Sequence, residues 1–309
     1  MSVQDSLQPQ LPTPGRFQPG AVLELLKPVT WFPPMWAFFC GILASGQPLE
    51  GRWGLVLAGV ILAGPMVCAM SQAVNDWYDR HVDAINEPDR PIPSGRIPGR
   101  WGLRIALGWT VLSLALGAAI GPAALVATCL AVALAWAYSA PPLRLKANGW
   151  LGCATCGLAY ESLPWITAAA ILTGGLPDTR VIVIALLYGI GAHGIMTLND
   201  FKAVEGDRRC GIRSLPVMLG PERAAKVACA VMALPQIAVI VCLDLWNAPV
   251  EAALIALSLA MQVLAMRKML RDPRRLAPWY NGTGVVLYVL GMLAAAAALG
   301  GHGVLEGIL

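Results

Sequence analysis

The sequence predicts an all-α, polytopic membrane protein: nine transmembrane helices around a central cavity, with the N-terminus cytoplasmic. Three observations carry that prediction. The 309 residues are 57% hydrophobic and only 13% charged, whereas a soluble domain carries about 25% charged residues. Mean hydropathy is +0.63. The apolar residues gather into runs close to the roughly 20 residues that a helix needs to cross hydrocarbon.

The elements follow in order. Residues 1–20 are rich in Pro and Gln and lack the basic start, apolar run and cleavage site of a signal peptide. They are expected to form a disordered cytoplasmic tail, and 21–309 a single membrane domain without long linkers. Spans are expected at 29–46, 54–74, 102–120, 122–140, 151–173, 180–198, 224–243, 249–266 and 281–299. Gly121-Pro122 makes the third and fourth a tight hairpin. With the N-terminus inside, twenty of the 22 basic residues fall in cytoplasmic segments; only Arg52 and Arg180 lie outside. That bias fixes orientation, and it accounts for the net charge of +4 without nucleic acid as a partner. Seven of the eight cysteines lie inside spans. Cys153 and Cys156 form a C-x-x-C, but no second pair completes a zinc site.

Two acid-rich stretches follow the second and sixth spans: Asn75-Asp76-Trp77-Tyr78-Asp79-Arg80-His81-Val82-Asp83, and Asn199-Asp200-Phe201-Lys202-Ala203-Val204-Glu205-Gly206-Asp207. The spans are four apart, so both stretches face the same side, which suggests a duplicated four-span unit with one span added. If the second span continues helically, Asp76, Asp79 and Asp83 share one face. Converging carboxylates repel unless a cation bridges them, and Mg²⁺ takes one or two carboxylates, waters and phosphate oxygens. Asp76, Asp79, Asp83, Asp200 and Asp207 are therefore the candidate metal set. Asn75, Tyr138, Arg144, Lys146, Asn199, Lys202 and Arg208 are candidates for holding a diphosphate. The competing reading is a solvated acidic loop balanced by Arg80 and Arg90, with Arg144 and Lys146 serving topology alone. Glu161 lies within the fifth span, where an ionisable group is a functional candidate or is bonded to a neighbouring helix. His193, in the sixth span, is a candidate acceptor contact or a structural histidine.

The N-D-x-x-D-x-x-x-D stretch and the second acidic motif resemble the UbiA superfamily of intramembrane prenyltransferases, over nearly the whole chain. Within it, Asp83-Ala84-Ile85-Asn86-Glu87-Pro88, Arg90-Pro91-Ile92-Pro93-Ser94-Gly95, Tyr138-Ser139-Ala140-Pro141-Pro142, Asn148-Gly149-Trp150 and the stretch from Asn199 to Asp207 resemble chlorophyll and bacteriochlorophyll synthases. The run from Cys156 to Trp165 is more similar to the bacteriochlorophyll branch. One departure stands out: a wider-superfamily D-x-x-x-D has Val204 at its second acid, leaving Glu205 or Asp207 to supply it.

The resemblance implies a Mg²⁺-dependent transferase that esterifies the propionate of bacteriochlorophyllide or chlorophyllide with geranylgeranyl or phytyl diphosphate. It implies Asp76, Asp79 and Asp200 as catalytic residues, and a location in a bacterial inner membrane with the site loops on the cytoplasmic side. Two rivals remain at this stage. One is a prenyltransferase of the same fold acting on a quinone precursor or haem. The other is a membrane cation or lipid transporter, although transporters place ionisable groups near the midplane and these acids sit at span ends.

Overall fold

The computed structural model describes residues 15–301. Residues 1–14 of the expected tail lie outside them. The last residues of that stretch are packed: the Phe17 ring sits 5.1 Å from that of Trp101, and the Gln18 N–H donates to the Arg96 carbonyl at 3.0 Å.

Among the described residues the architecture is helical. A short α1 (Gly20–Leu26) precedes α2 (Phe32–Ala44). Helix α3 (Trp53–Ile61) runs through a π-helical stretch, Leu62–Cys68, into α4 (Ala69–Asn86). Then come α5 (Trp101–Ile120) and α6 (Pro122–Ser139). Helix α7 (Gly149–Gly157) passes through a second π-helical stretch, Leu158–Ser162, into α8 (Leu163–Thr173). The rest are α9 (Thr179–Asn199), the short α10 (Val204–Arg209) and α11 (Leu215–Leu219), and α12 (Pro221–Leu245), α13 (Pro249–Met269) and α14 (Pro273–Gly300). Seven continuous helices are long and apolar enough to cross a membrane: 53–85, α5, α6, 179–202, α12, α13 and α14. Phe32–Ala44 is apolar but shorter. The α7–α8 rod carries Glu161 and Pro164 within it. The chain is therefore an integral, multi-pass membrane protein.

Local chemistry sets the ends of these rods. Helix α4 meets no proline or glycine until Pro88, which disfavours helix in the residue before it, so the acid motif is fully helical. Asn148 caps α7, its Oδ1 accepting from the backbone N–H of Trp150 at 3.0 Å and of Leu151 at 3.3 Å. Small residues let rods touch backbone to backbone. A Cβ on Gly41 of α2 would lie 2.1 Å from the Trp165 carbonyl oxygen of α8. One on Gly157 would lie 2.2 Å from that of Gly189 in α9. The core is threaded by polar ties that hydrocarbon cannot compete for. Gln236 and Gln262 exchange amide bonds at 3.1 and 2.9 Å between α12 and α13. Tyr288 donates to the Tyr188 carbonyl at 2.6 Å.

Candidate active site

The C-terminal ends of α4, α6 and α9 and the N-terminal end of α7 surround a cavity of about 650 Å³. Both acid motifs line it: Asp79 and Asp83 from α4, and Asp200 and Asp207 from the segment after α9. Asn75, Tyr138, Lys146 and Lys202 join them. A second, largely apolar cavity of about 460 Å³ lies deeper in the bundle. The two share Asn75, Tyr138, Cys156 and Met196 on their walls. A polar chamber therefore abuts an apolar one.

The loops place the basic residues. Ile92 and Ile97 are buried, and the Ile97 N–H bonds the Pro91 carbonyl at 2.9 Å. This folds the 87–100 loop back over α4. Arg90 then reaches Asp83 at 2.9 Å and Asp76 at 3.4 Å, and also pairs with Glu87. The 145–149 loop is stitched to Arg213, which gives its N–H to Ala147 at 3.0 Å and takes that of Gly149 at 2.8 Å. That holds Lys146, 7% exposed, 2.5 Å from Asp79. Burial draws the Lys146 ammonium below its ordinary pKa, with Asp79 opposing the shift. Arg144 stands 3.6 Å from Asp79, outside the chamber wall.

Asp76, 2% exposed, does not face the chamber. It is tied to Lys27 at 2.6 Å, a contact across 49 residues. Sequence reasoning counted Lys27 only as a topological charge; nothing near it in the chain signals this pairing. Asn199 lines the apolar cavity, and its Oδ1 accepts from Asn281 at 3.0 Å.

The second motif is not one helix. After α9 it makes a 3₁₀ turn at Asp200–Lys202, then breaks at Ala203 before α10. This turns Asp207 into the chamber and Glu205 out to solvent, 68% exposed and 3.1 Å from Arg209. Arg208 also points outward, 63% exposed and 4.0 Å from Glu205. Arg208 lines neither cavity. Burial raises the Asp207 carboxyl above its usual range. His193 lines neither cavity; it lies 3.5 Å from the Thr197 hydroxyl, with its ring 5.5 Å from Trp150.

The donor set fits a hydrated cation. Asp76 Oδ2 and Asp79 Oδ1 are buried without a hydrogen-bond partner. Among the described residues, Asp200 and Asp207 have no ion-pair partner. No three His, Cys, Asp or Glu side chains among those residues enclose an ion alone. The chamber-facing carboxylates of Asp79, Asp200 and Asp207 suit Mg²⁺, which keeps several waters and shares its sphere with phosphate oxygens.

Several known proteins resemble the chain over most of its length. The chain is 59% identical over 305 residues to the bacteriochlorophyll synthase 33 kDa chain of Cereibacter sphaeroides, covering 99% of this chain and 100% of that one. It is 47% identical to the bacteriochlorophyll synthase 34 kDa chain of Chloroflexus aurantiacus, covering 90% and 89%. It is 39% identical to the chloroplastic chlorophyll synthase of Arabidopsis thaliana, covering 89% and 73%. The structure of a UbiA homolog from Archaeoglobus fulgidus bound to GPP and Mg²⁺ superposes with a TM-score of 0.70 at 23% identity, covering 90% of this chain and 99% of that one. At that identity the likeness speaks for the fold. Residues 32–283 match the UbiA prenyltransferase family, and the chain belongs to that family.

Proposed function

We propose that this protein transfers a geranylgeranyl or phytyl group from its diphosphate to the propionate carboxylate of bacteriochlorophyllide, releasing diphosphate. The observation that carries the reading is the junction of the two cavities. A polar chamber with four aspartates, Glu87, Arg90 and two lysines on its wall meets an apolar chamber at Asn75 and Tyr138. A prenyl diphosphate has the same division, a charged head on a hydrocarbon tail, and its reacting C1 falls at the junction. The 59% identity to a bacteriochlorophyll synthase over almost the full chain supports the acceptor.

Asp79, Asp83, Asp200 and Asp207 are the residues to hold Mg²⁺, with Asp76 anchoring the cluster from behind through Lys27 and Arg90. Bound there, Mg²⁺ supplies Lewis-acid stabilisation of the charge on the departing diphosphate. Lys146 and Lys202 add fixed positive charge to the same chamber, which stabilises that charge as it develops. Tyr138 and Asn75 hold the head at the chamber mouth. Arg144 adjoins through Asp79, and Arg208 reaches the diphosphate only by leaving Glu205. The apolar wall keeps water from the electron-poor C1. The acceptor is a carboxylate, ionised at neutral pH, so no general base is assigned. Nine membrane crossings put α2 and the α7–α8 rod with the seven longer helices. The basic residues in the connections support a site on the cytoplasmic side of a bacterial inner membrane.

The test is esterification. Membranes holding the protein, given labelled geranylgeranyl diphosphate, Mg²⁺ and bacteriochlorophyllide, are expected to form labelled pigment ester. Label appearing only on a hydroxybenzoate or haem acceptor overturns the assignment.

A further inference from the structure

Among the described residues lining the deeper cavity, Glu161 is the one with a buried polar atom left without a hydrogen-bond partner. Glu161 sits in the π-helical stretch Leu158–Ser162 and lines the apolar chamber, 7% exposed. Its Oε2 is buried without a hydrogen-bond partner. The neighbouring polar side chains on that wall are satisfied internally. Tyr160 bonds Gln72 at 2.9 Å and Ser71 at 3.0 Å. Thr128 and Thr167 donate to carbonyls of their own helices at 2.7 and 2.6 Å. Glu161 is thus not bonded to a neighbouring helix, the ordinary explanation for an acid at this depth. π-Helical insertions re-aim side chains and recur at functional sites, and the opposite wall carries the other one, at Leu62–Cys68.

A carboxyl left unpaired in an apolar wall costs free energy, so a bound molecule that hydrogen-bonds it there is stabilised. The prenyl tail is pure hydrocarbon and cannot do so. The diphosphate belongs beyond Asn75 and Tyr138, in the other chamber. We infer that Glu161 hydrogen-bonds a polar substituent on the ring of the acceptor, making it a specificity-determining contact to the acceptor and not to the prenyl donor. This rests on the macrocyclic acceptor proposed above.

The test separates the two substrates. In the purified full chain with geranylgeranyl diphosphate and bacteriochlorophyllide, Glu161→Leu is expected to raise the acceptor KM about tenfold, the loss of roughly one hydrogen bond. It should leave the prenyl diphosphate KM within about twofold. Glu161→Gln, which keeps hydrogen-bonding capacity, is expected to recover most of the acceptor KM. An unchanged acceptor KM in Glu161→Leu overturns the inference, as does an equal rise in both KM values or a Gln variant no better than Leu. Pigment binding, followed by the shift of its absorption band on mixing, distinguishes this failure from that of the reaction. A wild type that binds pigment more tightly than Glu161→Leu but forms no ester keeps the Glu161 contact and sinks the esterification.

Discussion

The two acid motifs face the same chamber but are held in opposite ways. On α4 every carboxylate has a cation: Asp76 has Lys27, Asp79 has Lys146, and Asp83 has Arg90. After α9, Asp200 has only the Cys153 thiol at 3.8 Å, and among the described residues neither it nor Asp207 forms an ion pair. A buried carboxylate without a counter-charge is unfavourable. The first motif therefore has its charges countered within the fold, while among the described residues the second does not. If the two motifs grip a cation and a diphosphate as proposed, the first is a pre-paired jaw and the second a ligand-dependent one.

The largest effect expected is on turnover. Asp79→Asn and Asp200→Asn should each lower kcat by about 10²–10³-fold or more, the scale of losing one preorganised electrostatic group. Steady-state esterification measures it. Near-normal rates in either variant would remove the metal assignment from that jaw.

Stability should then split the two motifs. Asp76→Asn strips the counter-charge from Lys27 and Arg90. Those partners are 22% and 25% exposed, so the cost falls below that of breaking a fully buried pair and is about 2 kcal/mol. Asp200→Asn removes an uncompensated buried charge and is expected to leave the protein as stable or more so. Thermal unfolding in detergent orders the variants. Equal losses in both would erase the distinction between the jaws.

A smaller shift tests what the second jaw waits for. Mg²⁺ with inorganic diphosphate should raise the unfolding temperature of the wild type, as any ligand of the native state does. A chelator should reverse it. In Asp200→Asn the shift should shrink or vanish, and a full shift there points to a cation held by α4 alone.

Much of this was legible in the chain. Apolar run length gave most helix positions within a few residues, as for α5, expected at 102–120 and spanning Trp101–Ile120; the helix expected at 54–74 runs on to Asn86 and the one expected at 281–299 begins at Pro273, where polar residues extend the helix past the apolar run. The 3.6-residue period put three aspartates on one face of α4, because no breaker intervenes before Pro88. What could not be read was pairing across distance. Lys27 and Asp76 meet through the packing of α1 on α4, and local pattern carries no trace of that. Nor does spacing reveal that the chain breaks at Ala203, because a backbone turn after α9 is set by the packing of Phe201 and Leu215 in the core beneath it.

That break makes the last and smallest prediction. On a straight helix, Glu205 and Asp207 would point about 200° apart, and sequence alone left open which of them replaces the acid missing at Val204. In the structure Asp207 lines the chamber while Glu205 pairs outward with Arg208 and Arg209. Glu205→Gln breaks only exposed pairs, worth about 0.5 kcal/mol or less. Turnover should stay within about twofold of wild type, as for other surface changes away from a site. Asp207→Asn removes a chamber ligand, so its apparent Mg²⁺ affinity should fall about tenfold or more, on the scale of one charge-assisted contact. Titrating the esterification rate with Mg²⁺ in both variants reads the difference directly. If Glu205→Gln shifts the Mg²⁺ dependence and Asp207→Asn does not, α10 rotates when the ligand binds, and the acid that faces solvent here becomes the one that closes the second jaw.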